Sequence, residues 1–220
     1  LNQSRRHQMN DIYNLIKETF PNTEILLIYY GGSKAYGLDE NTSDIDVTVV
    51  LKGFRGILHL FIGKYDLFVF SKEDFIKRQQ FDDSIIAYHR QAADNVLSIK
   101  SNEYYLNPEF SKELENMISN VDNSFVCNLI DALLIYSKSV FEVNRKSKAF
   151  YHLYRVRGMI EHYMQTGVFD LIVDEPWKSK MIEYKANYKT NQEANYEEEI
   201  VFLFEYLENY RNEMIERGLG

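Results

Sequence analysis

Apolar residues at Met9, Ile12, Tyr13, Ile16 and Phe20 recur at helical spacing and Pro21 ends the run, so a helix is expected over Met9–Phe20. Glu24–Tyr30 (EILLIYY) is short, apolar and rich in strand formers; it reads as a central strand, turned sharply by Gly31-Gly32. Ser43–Leu51 (SDIDVTVVL) alternates polar and apolar before becoming wholly apolar, and Lys64–Phe70 (KYDLFVF) has the same strand composition. These are expected as the second and third strands, with Gly53, Gly56 and Gly63 between them. Ser71–Gln79 opens on Ser71 and carries Asp74 three residues on, a reciprocal N-cap pattern with Asp in place of the usual Glu or Gln.

From Pro108 the apolar period becomes helical, with candidate helices at Pro108–Ser119, Asn123–Val140, Lys146–Gln165 and Glu193–Arg217. The expected fold is α+β: a mixed sheet with flanking helices on one side over residues 1–107, then a mostly helical domain over 108–220 that closes a cleft. The three prolines and ten glycines are too few for a long linker between them.

Composition narrows the function classes. A hydrophobic share of 45% supports a substantial core, and the net charge of −8 argues against a protein that coats nucleic acid, though not against a small basic site on an acidic body. The single Cys127 lies in a mostly apolar run and reads as a buried core thiol; no Cys/His spacing suits zinc. No apolar run approaches the ~18 residues of a membrane span, and Leu1–Gln8 is polar with two arginines, unlike a signal peptide, so a cytoplasmic protein without membrane partners is expected.

The chemistry concentrates between residues 31 and 66. Asp44 and Asp46 are i and i+2 on the expected second strand, so their carboxylates share a face while Ile45, Val47 and Val49 take the other. Two carboxylates held together repel unless a cation lies between them, and hard oxygen ligands suit Mg²⁺. Upstream, Gly32-Ser33 forms a turn whose backbone N–H groups and hydroxyl can meet phosphate, and glycine at 32 permits close backbone approach. Asp66, flanked by Tyr65 and Leu67-Phe68-Val69-Phe70, is a third acid in an apolar setting where an unpartnered charge is costly. Plainer readings stand beside these: Asp44 as a turn-ending cap, Asp66 as a hairpin-edge acid facing water, Lys34 as a solvated lysine rather than a phosphate contact. The segment lacks the Gly-Lys-Ser/Thr ending of a P-loop and the glycine spacing of a dinucleotide fold.

Gly32-Ser33, the Asp44/Asp46 pair and Asp66 one strand later resemble the signature of the nucleotidyltransferase superfamily that includes DNA polymerase β. The fuller spacing, with Gly37 and then Ser43-Asp44-Ile45-Asp46, is similar to the bacterial and phage branch of RNA-repair adenylyltransferases and to the minimal nucleotidyltransferases of toxin–antitoxin pairs. The resemblance covers residues 24–70. It implies that Asp44, Asp46 and Asp66 hold two Mg²⁺ ions, with Mn²⁺ an alternative. Gly32, Ser33 and Lys34 would then meet the phosphates of an NTP, with ATP the expected one. Asp66 would also help deprotonate an acceptor hydroxyl that attacks the α-phosphorus and expels pyrophosphate. The acceptor is open among an RNA or tRNA 3′ end, a protein and a small molecule; the rival class is an antitoxin or regulator on the same fold.

Asn144–Gly158 carries five Lys/Arg and one His but no acid. On a helix, Lys148, His152 and Arg155 fall within about 60° of one another, beside the apolar stripe Leu153, Val156 and Ile160. Two readings stand: a short face for triphosphate or an RNA end, or a solvated face paired with acids elsewhere; His152 also reads as a core histidine. His7, His59 and His89 carry no pattern. Glu193–Glu208, with six glutamates among apolar residues, reads as an amphipathic helix with an acidic outer face.

Overall fold

A five-stranded mixed sheet organises the first part of the chain, in the order β3-β4-β2-β1-β5. The computed structural model describes residues 2–38, 44–79, 98–99, 104–119, 127, 130–131, 134–135, 146–167, 170–171, 173–190 and 197–217. Helix α1 (Asn2–Thr19) leads into β1 (Glu24–Tyr30), and a helical turn, α2 (Gly32–Ala35), follows. Then come β2 (Ile45–Lys52), β3 (Ile57–Ile62), β4 (Tyr65–Ser71) and α3 (Lys72–Gln79). Strand β5 (Tyr104–Leu106) leads through a 3₁₀ turn (Pro108–Phe110) into α4 (Ser111–Ser119).

Strands β2 and β4 run parallel, and the remaining neighbours pair antiparallel. The first expected strand coincides with β1, and the next two begin within one or two residues of β2 and β4. The connection between β2 and β4 contains β3, a strand absent from the sequence expectation; it lies at the sheet edge and pairs with β4 across the Gly63 turn. Ser71 caps α3 as expected. Its Oγ accepts the Asp74 N–H at 3.0 Å and donates to Asp74 Oδ2 at 2.6 Å, while its own N–H is taken by the Gly56 carbonyl.

The expectation of helices on one side of the sheet is corrected: both faces are covered. On one face Met9, Ile12 and Ile16 of α1 pack on Ile28, Tyr30, Val47, Val49, Leu51, Leu67 and Val69. On the other, Phe75 of α3, Phe110, and Leu114 of α4 pack on Leu27, Tyr29, Val50 and Phe70. The cause is visible in β2, whose run Val47–Leu51 is buried residue after residue, as a strand covered on both faces must be.

Two compact units result, one of residues 1–80 with 94–119 and the other of 81–93 with 120–220. The expected join at 107/108 does not coincide with this division, because Phe110 and Leu114 belong to the sheet's core. The second unit's described helices are α5 (Lys146–Thr166), α6 (Trp177–Thr190) and α7 (Glu197–Glu216). The expected helix at Asn123–Val140 lies largely outside the described residues. In α5, Leu153, Val156 and Ile160 are buried, and Gly158 allows close approach of Val173 and Trp177. Tyr154 stacks between Trp177 and Tyr184, at 5.4 Å from each ring, and the Tyr154 and Tyr184 hydroxyls both donate to Glu199. Among the described residues no helix is long and apolar enough to cross a membrane.

Candidate active site

The alternation of side chains along β2 and β4 divides their residues between the two faces. Val47, Val49 and Leu51, with Leu67 and Val69, enter the α1 core. Asp46 and Val50, with Asp66 and Phe70, therefore share the opposite face. There Val50 and Phe70 are covered by α3 and its neighbours, whereas the carboxylates occupy the start of each strand. Asp46 and Asp66 are in-register partners of the parallel β2/β4 pair. Neighbouring strands lie about 4.8 Å apart, so the two carboxylates rise side by side.

Asp66 is not an edge acid facing water. Strand β4 lies between β3 and β2, and the Asp66 side chain is only 15% exposed. Its Oδ1 lies 2.5 Å from Nε2 of His59 on β3. The His59 ring stacks on Phe68 at 4.2 Å with an interplanar angle of 10°, matching the register His59↔Phe68. Sequence reasoning passed over His59 as patternless. Reading Ile57–Ile62 as a hairpin partner of Tyr65–Phe70 across Gly63-Lys64 would have placed it beside Phe68, one pleat from Asp66.

Gly32 joins the turn to this pair. The Gly31 N–H donates to the Asp46 carbonyl at 2.9 Å, so the chain leaves β1 against the start of β2. Gly32 has φ +53°, and a Cβ built there would overlap Oδ2 of Asp46. Ser33 is half-buried in α2, its carbonyl accepting the Leu38 N–H at 2.9 Å. The Lys34 amine turns toward β1 and α1, 4.0 Å over the Tyr30 ring and donating to Gln8 Oε1.

Asp44 departs from expectation. The strand begins at Ile45, so Asp44 stands exposed just before it rather than as a second strand carboxylate. The adjoining Ile45 N–H donates to the Lys64 carbonyl at 2.9 Å, which ties this point to the entry of β4. Among the described residues no three His, Cys, Asp or Glu are gathered closely enough to hold an ion. Asp46 and Asp66 supply two carboxylates from neighbouring strands, and Mg²⁺ is commonly held by one or two carboxylates together with substrate phosphates. This donor set is all carboxylate oxygen, and the missing Cβ at Gly32 keeps a side-chain atom off Asp46. Both features fit a hard divalent cation such as Mg²⁺ or Mn²⁺.

Two of the three residues of the expected basic face on α5 are not solvated. Arg155 is fully buried and His152 only 8% exposed; the Lys148 side chain lies outside the described residues. Every residue of α5 from His152 to Ile160 except Arg157 is buried, so His152 and Arg155 lie in the packed part of the helix. Burial agrees with the core reading of His152. All three residues belong to the helical unit, whereas the carboxylates belong to the sheet unit.

The chain matches no protein-family model and no curated protein.

Proposed function

We propose that this protein is a metal-dependent nucleotidyltransferase that moves a nucleoside monophosphate, AMP in the expected case, from an NTP to an acceptor hydroxyl. The observation that carries the reading is the in-register pairing of Asp46 and Asp66, with the Gly32 turn pressed against Asp46. Two carboxylates aligned on neighbouring strands repel, a cost that a cation bound between them would offset.

Asp46 and Asp66, with Asp44 at the strand entry, would hold the divalent ions, and Gly32 and Ser33 would receive phosphate oxygens of the NTP. When bound, such ions neutralise phosphate charge and polarise the reacting oxygens. Asp66 accepts the proton of the acceptor hydroxyl; that oxygen forms a bond to the α-phosphorus, the bond from the α-phosphorus to its bridging oxygen breaks, and pyrophosphate leaves. The side-by-side arrangement of Asp66 and Asp46 supports turnover over a purely regulatory role on the same fold.

Incubation with each α-³²P-labelled NTP, Mg²⁺, and either total RNA or a cell lysate tests the reading and identifies the acceptor. Label on RNA 3′ ends, on a protein or on a small molecule assigns it, and absence of label from every fraction with all four NTPs argues against transfer.

A further inference from the structure

His59 is held in an unusual way for a residue on an edge strand. Its side chain is 46% exposed, so burial does not fix it. Two contacts do: the ring lies flat on Phe68, and Nε2 meets Asp66 Oδ1 at 2.5 Å. The Phe61 ring, 5.1 Å away and tilted by 52°, bounds the imidazole on its own strand. With the ring plane set by Phe68 and the backbone position set by the β3/β4 register, Nε2 is directed at Oδ1 of Asp66. A carboxylate beside a second one gains from a donor that keeps it from rotating, because either oxygen otherwise turns toward or away from its anionic neighbour.

We propose that His59 is a positioning residue for the site: it donates to Oδ1 of Asp66 and holds the carboxylate in one orientation, leaving Oδ2 for an ion or for the acceptor's proton. The consequence for catalysis rests on the nucleotidyltransferase reading; the contact itself does not. Partners of this kind, one bond removed from a ligating carboxylate, typically alter metal affinity or turnover by about 10–100-fold when removed.

The test uses the full chain with His59→Ala and His59→Gln, each checked for wild-type melting behaviour, since the position is exposed. Mn²⁺ affinity is measured by electron paramagnetic resonance, and transfer kinetics are measured separately. His59→Ala is expected to bind Mn²⁺ on the order of ten-fold more weakly. Its kcat should fall by about 10–100-fold with the KM for NTP unchanged. His59→Gln, whose amide can donate from a similar place, should recover part of both losses. Wild-type Mn²⁺ affinity in His59→Ala overturns the proposal, as does an equal loss in the Ala and Gln variants. A wild-type protein that transfers nothing would count against the nucleotidyltransferase reading instead, and the Mn²⁺ comparison would still decide the role of His59.

Discussion

Gly32 and the carboxylate of Asp46 adjoin so closely that a Cβ at position 32 would overlap Oδ2 of Asp46. Gly32 also sits at φ +53°, whereas at Gly37, with φ +71° in the same turn, a Cβ would meet none of the described residues within 4 Å. The two glycines therefore separate strain from collision. Gly32→Ala and Gly37→Ala should each lose about 1–3 kcal/mol of unfolding stability from backbone strain. Only Gly32→Ala should also lose transfer, because only it displaces Asp46. Denaturant titration beside a transfer assay reads both, and equal activity in the two variants would separate the turn from the carboxylate.

Arg155 carries the second prediction. A fully buried arginine contributes packing along its stem as well as charge, and truncating it leaves a cavity. Arg155→Ala is expected to destabilise the protein by about 2–5 kcal/mol. Chemical denaturation would show this as a lower midpoint; a midpoint unchanged from wild type would contradict the burial.

The helical unit should also weaken in alkali. Burial first, and then the Glu199 carboxylate that its hydroxyl donates to, pushes the Tyr154 phenol above its ordinary value of 10. Tyr206 is raised likewise, by burial and then by Glu161. A phenol whose pKa is higher in the folded state contributes stability that is fully present below the unfolded value, about 10, and is lost as pH rises toward the folded one. Unfolding stability should therefore fall above about pH 10, by up to ~1.4 kcal/mol per pH unit for each such proton. Tyr154→Phe should shallow that slope. A slope identical to wild type would remove Tyr154 from the account.

The sheet was legible where its strands were buried and bounded. Glu24–Tyr30 is apolar throughout and ends at Gly31-Gly32, and the Ser71/Asp74 cap announced α3. Ile57–Ile62 was missed because an edge strand needs no alternation: Ile57, Leu58 and Phe61 are all exposed, on both faces. With β3 went His59, whose partner Asp66 is seven residues away and visible only through the hairpin register. The second cover of the sheet was hidden because Phe110 and Leu114 follow the change to helical period and read as the start of another domain. Arg155 misled for a similar reason. Helical spacing places a charge on a face, but whether that face meets water depends on what packs against it, and α5 is buried from His152 to Ile160 apart from Arg157. The pairing of Asp46 with Asp66 was the easiest part of the site to anticipate, since both stand near the start of apolar strands.

That pairing is also the central claim, and one comparison tests it most directly: transfer from α-³²P-labelled NTP in Mg²⁺ by wild type, Asp46→Asn and Asp66→Asn. The amides keep the shape of the side chains while removing the charge that holds a divalent ion, so both variants should keep the fold, as read by circular dichroism. The account predicts label transfer by wild type and at least a hundred-fold loss, on the order of ~2.7 kcal/mol, in each folded variant. Wild-type rates in either one would contradict it.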